Sequence, residues 1–394
     1  MIVRSPGVTP VPPIYVIGNP ANRRVGYFQQ ALTSRGLPPA IVHSYQDLLS
    51  NSRSLEDIVV PGSIIRIDSP GEDFEVEKLL LREGTEAASQ EGAPYLEVAR
   101  FGQLKNERGL ILNPRQWYLG FRKVLERWGD QLGRIPDIRC VTPPSDIVVM
   151  FDKRLCHALC QSAQVPVPAS WGPIRSYDDF IRIANERGAN RAFIKLAHGS
   201  SASGVIAWRR QDTRQVAITS AEIVRGQHFK LYNSLKIRRY TDQRDIADLI
   251  NVLARNHVQV EDWFPKASVE SGLSFDLRVV TIAGEPCHTV VRQSANPMTN
   301  LHLGNKRGRI ELVHERLGPD RLLEIQETSR RTANLFPKSL MLGLDIAISP
   351  NFSKHVVLEA NAFGDLLPNV LHQGVDTYTA QVNAISLMTA RKPH

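Results

Sequence analysis

Short apolar runs alternate with stretches of helical spacing along most of the chain. Ile14–Ile17 reads as a strand, IYVI, closed by Gly18, Asn19 and Pro20. Residues 22–35 then read as a helix with Gly36 as its C-terminal stop. Residues 41–43 begin a second strand, and Ile64–Ile67 is a third. Residues 74–82 read as a helix closed by Gly84. Strand, glycine turn and helix in this order predict an α/β unit. Arg66 and Asp68, at the end of their strand, are expected to form a surface ion pair. Residues 83–108 are polar and read as loop with one short element. Asn113 and Pro114 open a helix that runs to about Trp128.

Pro136, Pro143 and Pro144 mark a linker, and a domain boundary is placed there. Beyond it, residues 145–150 read as a strand and 151–163 as a helix. That helix has Asp152 near its N-cap and an apolar face from Leu155, Ala158 and Leu159. Prolines hold 165–168 extended. A capped helix is expected over 177–187. The segment AFIKLAHGSSASGVIAW reads as strand, small-residue loop and strand. Residues 211–236 read as strand, and Thr241 is expected to cap a helix to about Asn256. Residues 258–264 are a strand or connector. Residues 277–282 and 288–292 should pair around Gly284, Glu285 and Pro286. A polar loop covers 296–309 and a helix 322–335. Two short runs, 342–348 and 355–358, flank a Pro350–Asn351 turn signal and read as a hairpin. The closing helix spans 375–390.

With 394 residues the chain can build two or three domains. No stretch reaches the roughly 18 uninterrupted apolar residues of a membrane span. The first residues, MIVRSPGVTPVPP, lack the apolar core of a signal peptide. The four cysteines are Cys140, Cys156, Cys160 and Cys287, too few for a disulfide scaffold of this size and without metal-knuckle spacing. A cytoplasmic protein without a membrane partner is the expectation. The net charge of +8 allows an anionic partner. Basic residues occur throughout, with no long run and no aromatic-studded basic strand, so specific nucleic-acid binding is not expected. A basic cleft for a phosphorylated cofactor and an acidic substrate accounts for the charge.

The candidate chemistry lies late in the chain. Asp345 sits on the first run of the hairpin, and Glu359 and Asn361 on the second. Residues two apart on a strand share a face, and pairing can bring Asp345 beside them. Two carboxylates and an amide oxygen make a hard site of the kind Mg²⁺ takes. Earlier, Lys195 ends a strand and precedes Gly199, Ser200, Ser201, Ala202, Ser203 and Gly204. Backbone N–H groups of so small a loop can close over phosphates. It is not a P-loop, since no G-K-[ST] follows.

Taken in order, Lys153, Lys195 with its loop, Glu261-Asp262-Trp263-Phe264, Arg278, Arg292, and Asp345, Glu359 and Asn361 form a recognisable series. Over residues 145–373 the chain resembles the ATP-grasp superfamily of carboxylate–amine ligases, such as glutathione synthetase and the ribosomal-protein glutamate ligases. The resemblance implies an ATP-grasp fold of mixed α/β and α+β class. A Rossmann-like α/β domain would span 1–144, a central subdomain 145–262 and a metal-bearing subdomain 263–394. It implies that Lys153 and Lys195 hold the α- and β-phosphates and that loop 199–204 covers them. Glu261, Asp262, Trp263 and Phe264 would supply the connector whose backbone reads adenine, with Glu270 a ribose ligand. Arg278 and Arg292 would neutralise the γ-phosphate and the acyl phosphate, and Asp345, Glu359 and Asn361 would bind Mg²⁺. The implied activity is ATP-dependent joining of a carboxylate to an amine, on small molecules or a short peptide, in a chain whose default assembly is a homodimer. The alternative is a nucleotide-binding regulator on the same fold without turnover. The sequence departs from the family in KLAHGSSASG, which lacks the usual proline after lysine, and in Phe363-Gly364-Asp365-Leu366-Leu367-Pro368. Asn300 and His302 lie in a segment only loosely like the family's, and their roles, like that of Asp365, stay open.

Overall fold

The computed structural model describes residues 12–50, 53–200, 202–226, 229–364 and 367–390. Its first unit is a parallel sheet in the order β2-β1-β3-β4, from β1 (Ile14–Ile17), β2 (Ile41–His43), β3 (Ile64–Ile67) and β4 (Arg139–Cys140). Helices α1 (Arg23–Ser34), α2 (Tyr45–Ser50), α3 (Phe74–Glu83), α4 (Thr85–Gln90) and α5 (Pro114–Gly133) connect these strands. Every residue of β1 and β3 is buried, as expected of parallel strands covered on both faces. Ile14 and Val16 pack with Phe28 and Leu32, while Tyr15 and Ile17 pack with Leu80, Phe121 and Val124.

The linker region holds α6 (Pro144–Phe151) and α7 (Lys153–Ser162). Next come α8 (Tyr177–Glu186) and an antiparallel sheet in the order β8-β7-β6-β5-β9. Its strands are β5 (Arg191–Leu196), β6 (Val205–Gln211), β7 (Arg214–Arg225), β8 (Phe229–Tyr240) and β9 (Val258–Asp262). Helix α9 (Gln243–Arg255) packs with α8 on one face of this central sheet. The third sheet runs β13-β12-β11-β14-β15, with β10 paired to β11. It is built from β10 (Ser268–Glu270), β11 (Leu273–Ile282), β12 (Glu285–Ser294), β13 (Lys306–Arg307), β14 (Met341–Ile348) and β15 (His355–Asn361). Helix α10 (Ile310–Ala333) precedes β14. The small ribbon β16 (Leu371–His372) and β17 (Val375–Asp376) leads into α11 (Thr377–Ala390).

The core divides unevenly. One cluster of buried side chains, between residues 171 and 260, belongs to the central sheet alone. The two largest others each mix first-unit and third-sheet residues, for example Ile17 and Phe121 with Phe275 and Leu344. The first unit and the third sheet are therefore packed on one another, while the central sheet has a core of its own on one face and meets Met298 and Leu303 with the other.

Several expected elements come out differently. The run 145–150 is helix rather than strand: Pro144 starts α6, and Ile147 and Met150, three apart, are its buried face. In α7, Leu155 and Ala158 face solvent, and Cys156, His157 and Cys160 are buried instead. Residues 83–108 hold two short elements, α4 and a 3₁₀ turn at Val98–Gln103. Residues 211–236 divide between β7 and β8. Asp242, not Thr241, caps α9, accepting from the Arg244 and Asp245 N–H groups. Helix α10 starts well before residue 322 and breaks at Gly318, whose φ is 70°. Residues 375–376 are strand, so the last helix starts at Thr377. Arg66 and Asp68 do pair, at 2.8 Å, but both are 2% exposed. Both faces of a parallel sheet are covered, so alternation there gives no outward side.

Candidate active site

The hairpin β14–β15 sets Asp345 directly opposite Glu359 and Gly343 opposite Asn361. On the other side of β14, Arg278 of β11 lies opposite Asp345, and Asp276 lies opposite Arg292 of β12. Register thus lays acids and arginines in a patch over four strands. The Arg278 Nε donates to Asp345 Oδ1 at 2.5 Å, and Arg292 Nη2 lies 2.9 Å from Asp345 Oδ2. Arg292 Nε donates to Asp276 Oδ1 at 2.7 Å. Lys266 Nζ donates to Asp276 Oδ2 at 2.9 Å and to Thr299 Oγ1 at 2.8 Å. Arg278 holds Asp345 rather than Asp276 two residues before it, and Asp276 is buried.

Burial opposes charge at each of these groups, and the partners overcome it for the acids. Burial works to raise the Asp276 pKa, yet Arg292 and Lys266 hold it far below the usual carboxylate range. Asp345 is likewise lowered against burial by Arg278 and Arg292. Lys266 goes the other way: burial brings its pKa below the ordinary lysine value, with Asp276 only partly restoring it.

A narrow cleft, with free space of only about 20 Å³, lies between β15, α7 and the strands β5 and β9. Lys153, Lys195, Glu261 and Glu359 line it together with Met150, Gln259 and Leu358. Asp152 caps α7 by accepting from the Arg154 N–H, which fixes Lys153 at the first helical position. Lys153 Nζ donates to Glu359 Oε1 at 2.7 Å and to the Gly199 carbonyl at 2.8 Å. Lys195 pairs with Glu261, which is 2% exposed. In the loop, Ser203 N–H donates to the Ser200 carbonyl. Gly199 and Gly204 have no room for a side chain: a Cβ would lie 2.8 Å from Ser203 O and 2.5 Å from Leu196 Cδ1 respectively. Ser201 and Asp365 fall outside the described residues. Asn361 donates its amide to the Gly343 carbonyl at 3.1 Å.

The connector residues diverge after Glu261. Asp262 accepts from the Trp171 indole N–H at 2.6 Å, and Trp263 packs edge-on against Phe193. Phe264 is half-buried. Glu270 is not among the residues lining the cleft; Arg309 holds it at 3.3 Å. Asn300 begins the 3₁₀ turn Leu301–Leu303, and His302 is exposed on it.

Among the described residues no three His, Cys, Asp or Glu side chains group as a metal site. The oxygen set of Asp345, Glu359 and Asn361 fits Mg²⁺ by chemistry, since that ion takes few protein ligands and completes its shell with water and phosphate. The adjacent register of the two carboxylates supports the same fit.

No family model matches the sequence, and no curated protein does. Solved structures do. The ATP-grasp ligase PsnB, in complex with a minimal precursor, is 16% identical and covers 95% of this chain and 99% of its own, with a TM-score of 0.52. The D-cycloserine synthetase DcsG is 12% identical over 95% of this chain and 99% of its own, TM-score 0.55. The Chryseobacterium gregarium RiPP-associated ATP-grasp ligase is 10% identical over 96% and 97%, TM-score 0.54. The chain has the ATP-grasp fold. Residues of the central and third sheets, Lys195 and Glu261 on one side and Glu359 on the other, line the cleft together.

The candidate site contains groups that sequence reasoning passed over. Lys266 and Thr299 lie in irregular segments, where no periodicity distinguishes a buried lysine from a solvated one. His198, one residue ahead of the small-residue loop, is buried and stacked on Tyr118 with ring centroids 3.9 Å apart. Its Nε2 lies 3.0 Å from Arg115 Nη1, and Arg115 in turn makes a two-bond fork to Glu91. Burial lowers the His198 pKa well below 6.5, with Asp152 opposing and Arg115 adding to the effect. The ring is neutral, and Nε2 accepts from Arg115. A histidine interrupting a run of small residues was the available signal.

Proposed function

We propose that the protein is an ATP- and Mg²⁺-dependent ligase that activates a carboxylate as an acyl phosphate and joins it to an amine, releasing ADP and phosphate. One observation carries the reading: Lys153 and Lys195 line the same cleft as Glu359, which stands opposite Asp345 and its two arginines. The neighbours lend support, since PsnB has been solved with Mg and ADP and with AMPPNP. The macrocyclase MdnC of Microcystis aeruginosa, solved with its precursor peptide at 11% identity and TM-score 0.51, suggests a peptide as one substrate class beside small molecules.

In this reading Lys153 and Lys195 hold the α- and β-phosphates, and loop 199–204 closes on them through backbone N–H groups. The backbone of 261–264 reads the base. Arg278 and Arg292 neutralise charge that develops as the γ-phosphoryl group passes to the carboxylate, where positioning and electrostatics supply most of the catalysis. Asp345, Glu359 and Asn361 would hold Mg²⁺, which supplies charge neutralisation between phosphate oxygens. The amine then attacks the acyl phosphate and phosphate leaves. The three-part division at residues 144 and 262 belongs to the same proposal.

The test is ADP release from ATP and Mg²⁺ with mixed carboxylate and amine pools. Wild-type protein should release ADP, and Glu359→Gln should reduce it by at least about a hundredfold, the scale of removing one charge-stabilising group. Full turnover in Glu359→Gln would defeat the assignment. Tight ADP–Mg²⁺ binding with no turnover on any substrate would instead indicate a regulatory binder.

A further inference from the structure

The positive charge of the chain is concentrated in one place. Residues 191–240, the span of β5 to β8, hold ten Lys and Arg against two acids, Asp212 and Glu222. That surplus equals the +8 of the whole chain, so the remainder is neutral on balance. The basic residues occur everywhere, as the sequence suggested, but their excess lies in the central sheet.

Register puts four of these arginines on one face. Arg191 stands opposite Arg209, Gln211 opposite Arg214, and Ile218 opposite Arg239. Alternation gives all four the face that carries Lys195 and Glu261. The other face turns Ile194, Ile206 and Trp208 into the central core. The inner part of the arginine face is covered, with Phe193, Val205 and Ala207 packed on Met298 and Leu303. The four arginines are exposed beyond that cover. None of them has an ion-pair partner among the described residues, although Arg210, Arg225 and Arg238 of the same sheet are all engaged by acids or amides. Like charges directly opposite one another destabilise a strand pair, and Arg191 and Arg209 are so placed. An anion bridging them would relieve that repulsion.

We propose that this arginine margin docks a carboxylate-rich peptide segment and leads it toward the cleft at Lys195. Guanidinium forks match carboxylates with paired hydrogen bonds. Single-stranded nucleic acid is held best where aromatic faces alternate with basic groups. The positions between the four arginines on this face are Gln211, Val216 and Ile218, with no aromatic ring. A one-signed margin beside a cleft also raises the encounter rate of an acidic substrate. The choice of a carboxylate-rich peptide rests on the ligase reading; the charge of the face does not.

The experiment measures fluorescence anisotropy of a labelled oligoglutamate and of a labelled single-stranded oligonucleotide of equal charge. It uses the full chain and a variant with Arg191, Arg209, Arg214 and Arg239 all changed to Gln. ADP–Mg²⁺ affinity and melting temperature serve as controls. Oligoglutamate should bind the wild type in a salt-dependent way and lose on the order of tenfold or more in the variant, the sum of four exposed charge contacts. ADP–Mg²⁺ affinity should stay the same. Equal oligoglutamate binding by both proteins, or none by either, overturns the proposal. Tighter binding of the oligonucleotide, lost in the same variant, replaces the peptide with nucleic acid. If the wild type fails to bind ADP–Mg²⁺, the ligase reading falls while the oligoglutamate comparison still decides the docking face.

Discussion

Arg292 is 3% exposed and reaches two carboxylates, Asp276 and Asp345, from the middle of a strand. Removing it would leave two buried negative charges short of a partner. Arg292→Ala should therefore lower the unfolding free energy by about 3–5 kcal/mol, read from urea unfolding, besides any loss of turnover. Glu359 is different. Its side chain is partly open to the cleft and, among the described residues, ion-pairs with Lys153 alone, so Glu359→Gln should leave a folded protein in which activity can be scored. The residue types of this patch were legible in the sequence and so was their order along the chain. Their partners were not. Arg278 and Asp276 sit two apart and invite pairing, yet the acid that Arg278 holds comes from β14, and only the register of β11 against β14 decides that. Arg66 and Asp68 show the same limit: the pair was readable, its burial was not, because burial depends on what covers the sheet.

At the scale of elements, long periodic segments declared themselves together with the glycines that follow them, such as Gly36 and Gly84. The run DIVVMF did not. It is apolar, short and rich in β-branched residues, a pattern that strand and buried helix share, and the proline at the first turn is what tips it to helix. Contacts between elements leave fainter traces still. Gly84, at the end of α3, and Gly120, within α5, let two helix backbones touch: a Cβ on Gly120 would sit 1.8 Å from Leu80 O, and one on Gly84 1.9 Å from Gln116 O. No rotamer change relieves a clash with a carbonyl. Gly120→Ala should force the helices apart and cost at least about 3 kcal/mol, the upper end of ordinary overpacking. Chemical denaturation measures it; a variant as stable as the wild type would show that α3 and α5 do not meet this closely.

For the whole molecule, the sequence offered three units in a row, and it gave no hint that the first and the last share their two largest apolar clusters while the middle one keeps its main core to itself. Such sharing joins residues hundreds of positions apart and has no local signature. The distribution of charge was readable and went unread, since counting over the full chain hides a surplus confined to four strands.

The paired arginines on Asp345 have one more consequence. Arg278 and Arg292 balance Asp345, and Lys153 balances Glu359, so both acids of the proposed ion site are paired without an ion. Treatment with EDTA should leave the melting temperature unchanged, unlike a fold assembled around its ion, which chelators take apart. Such a chain can be synthesised, folded and stored without an ion, its opposite charges holding one another until a ligand exchanges with them.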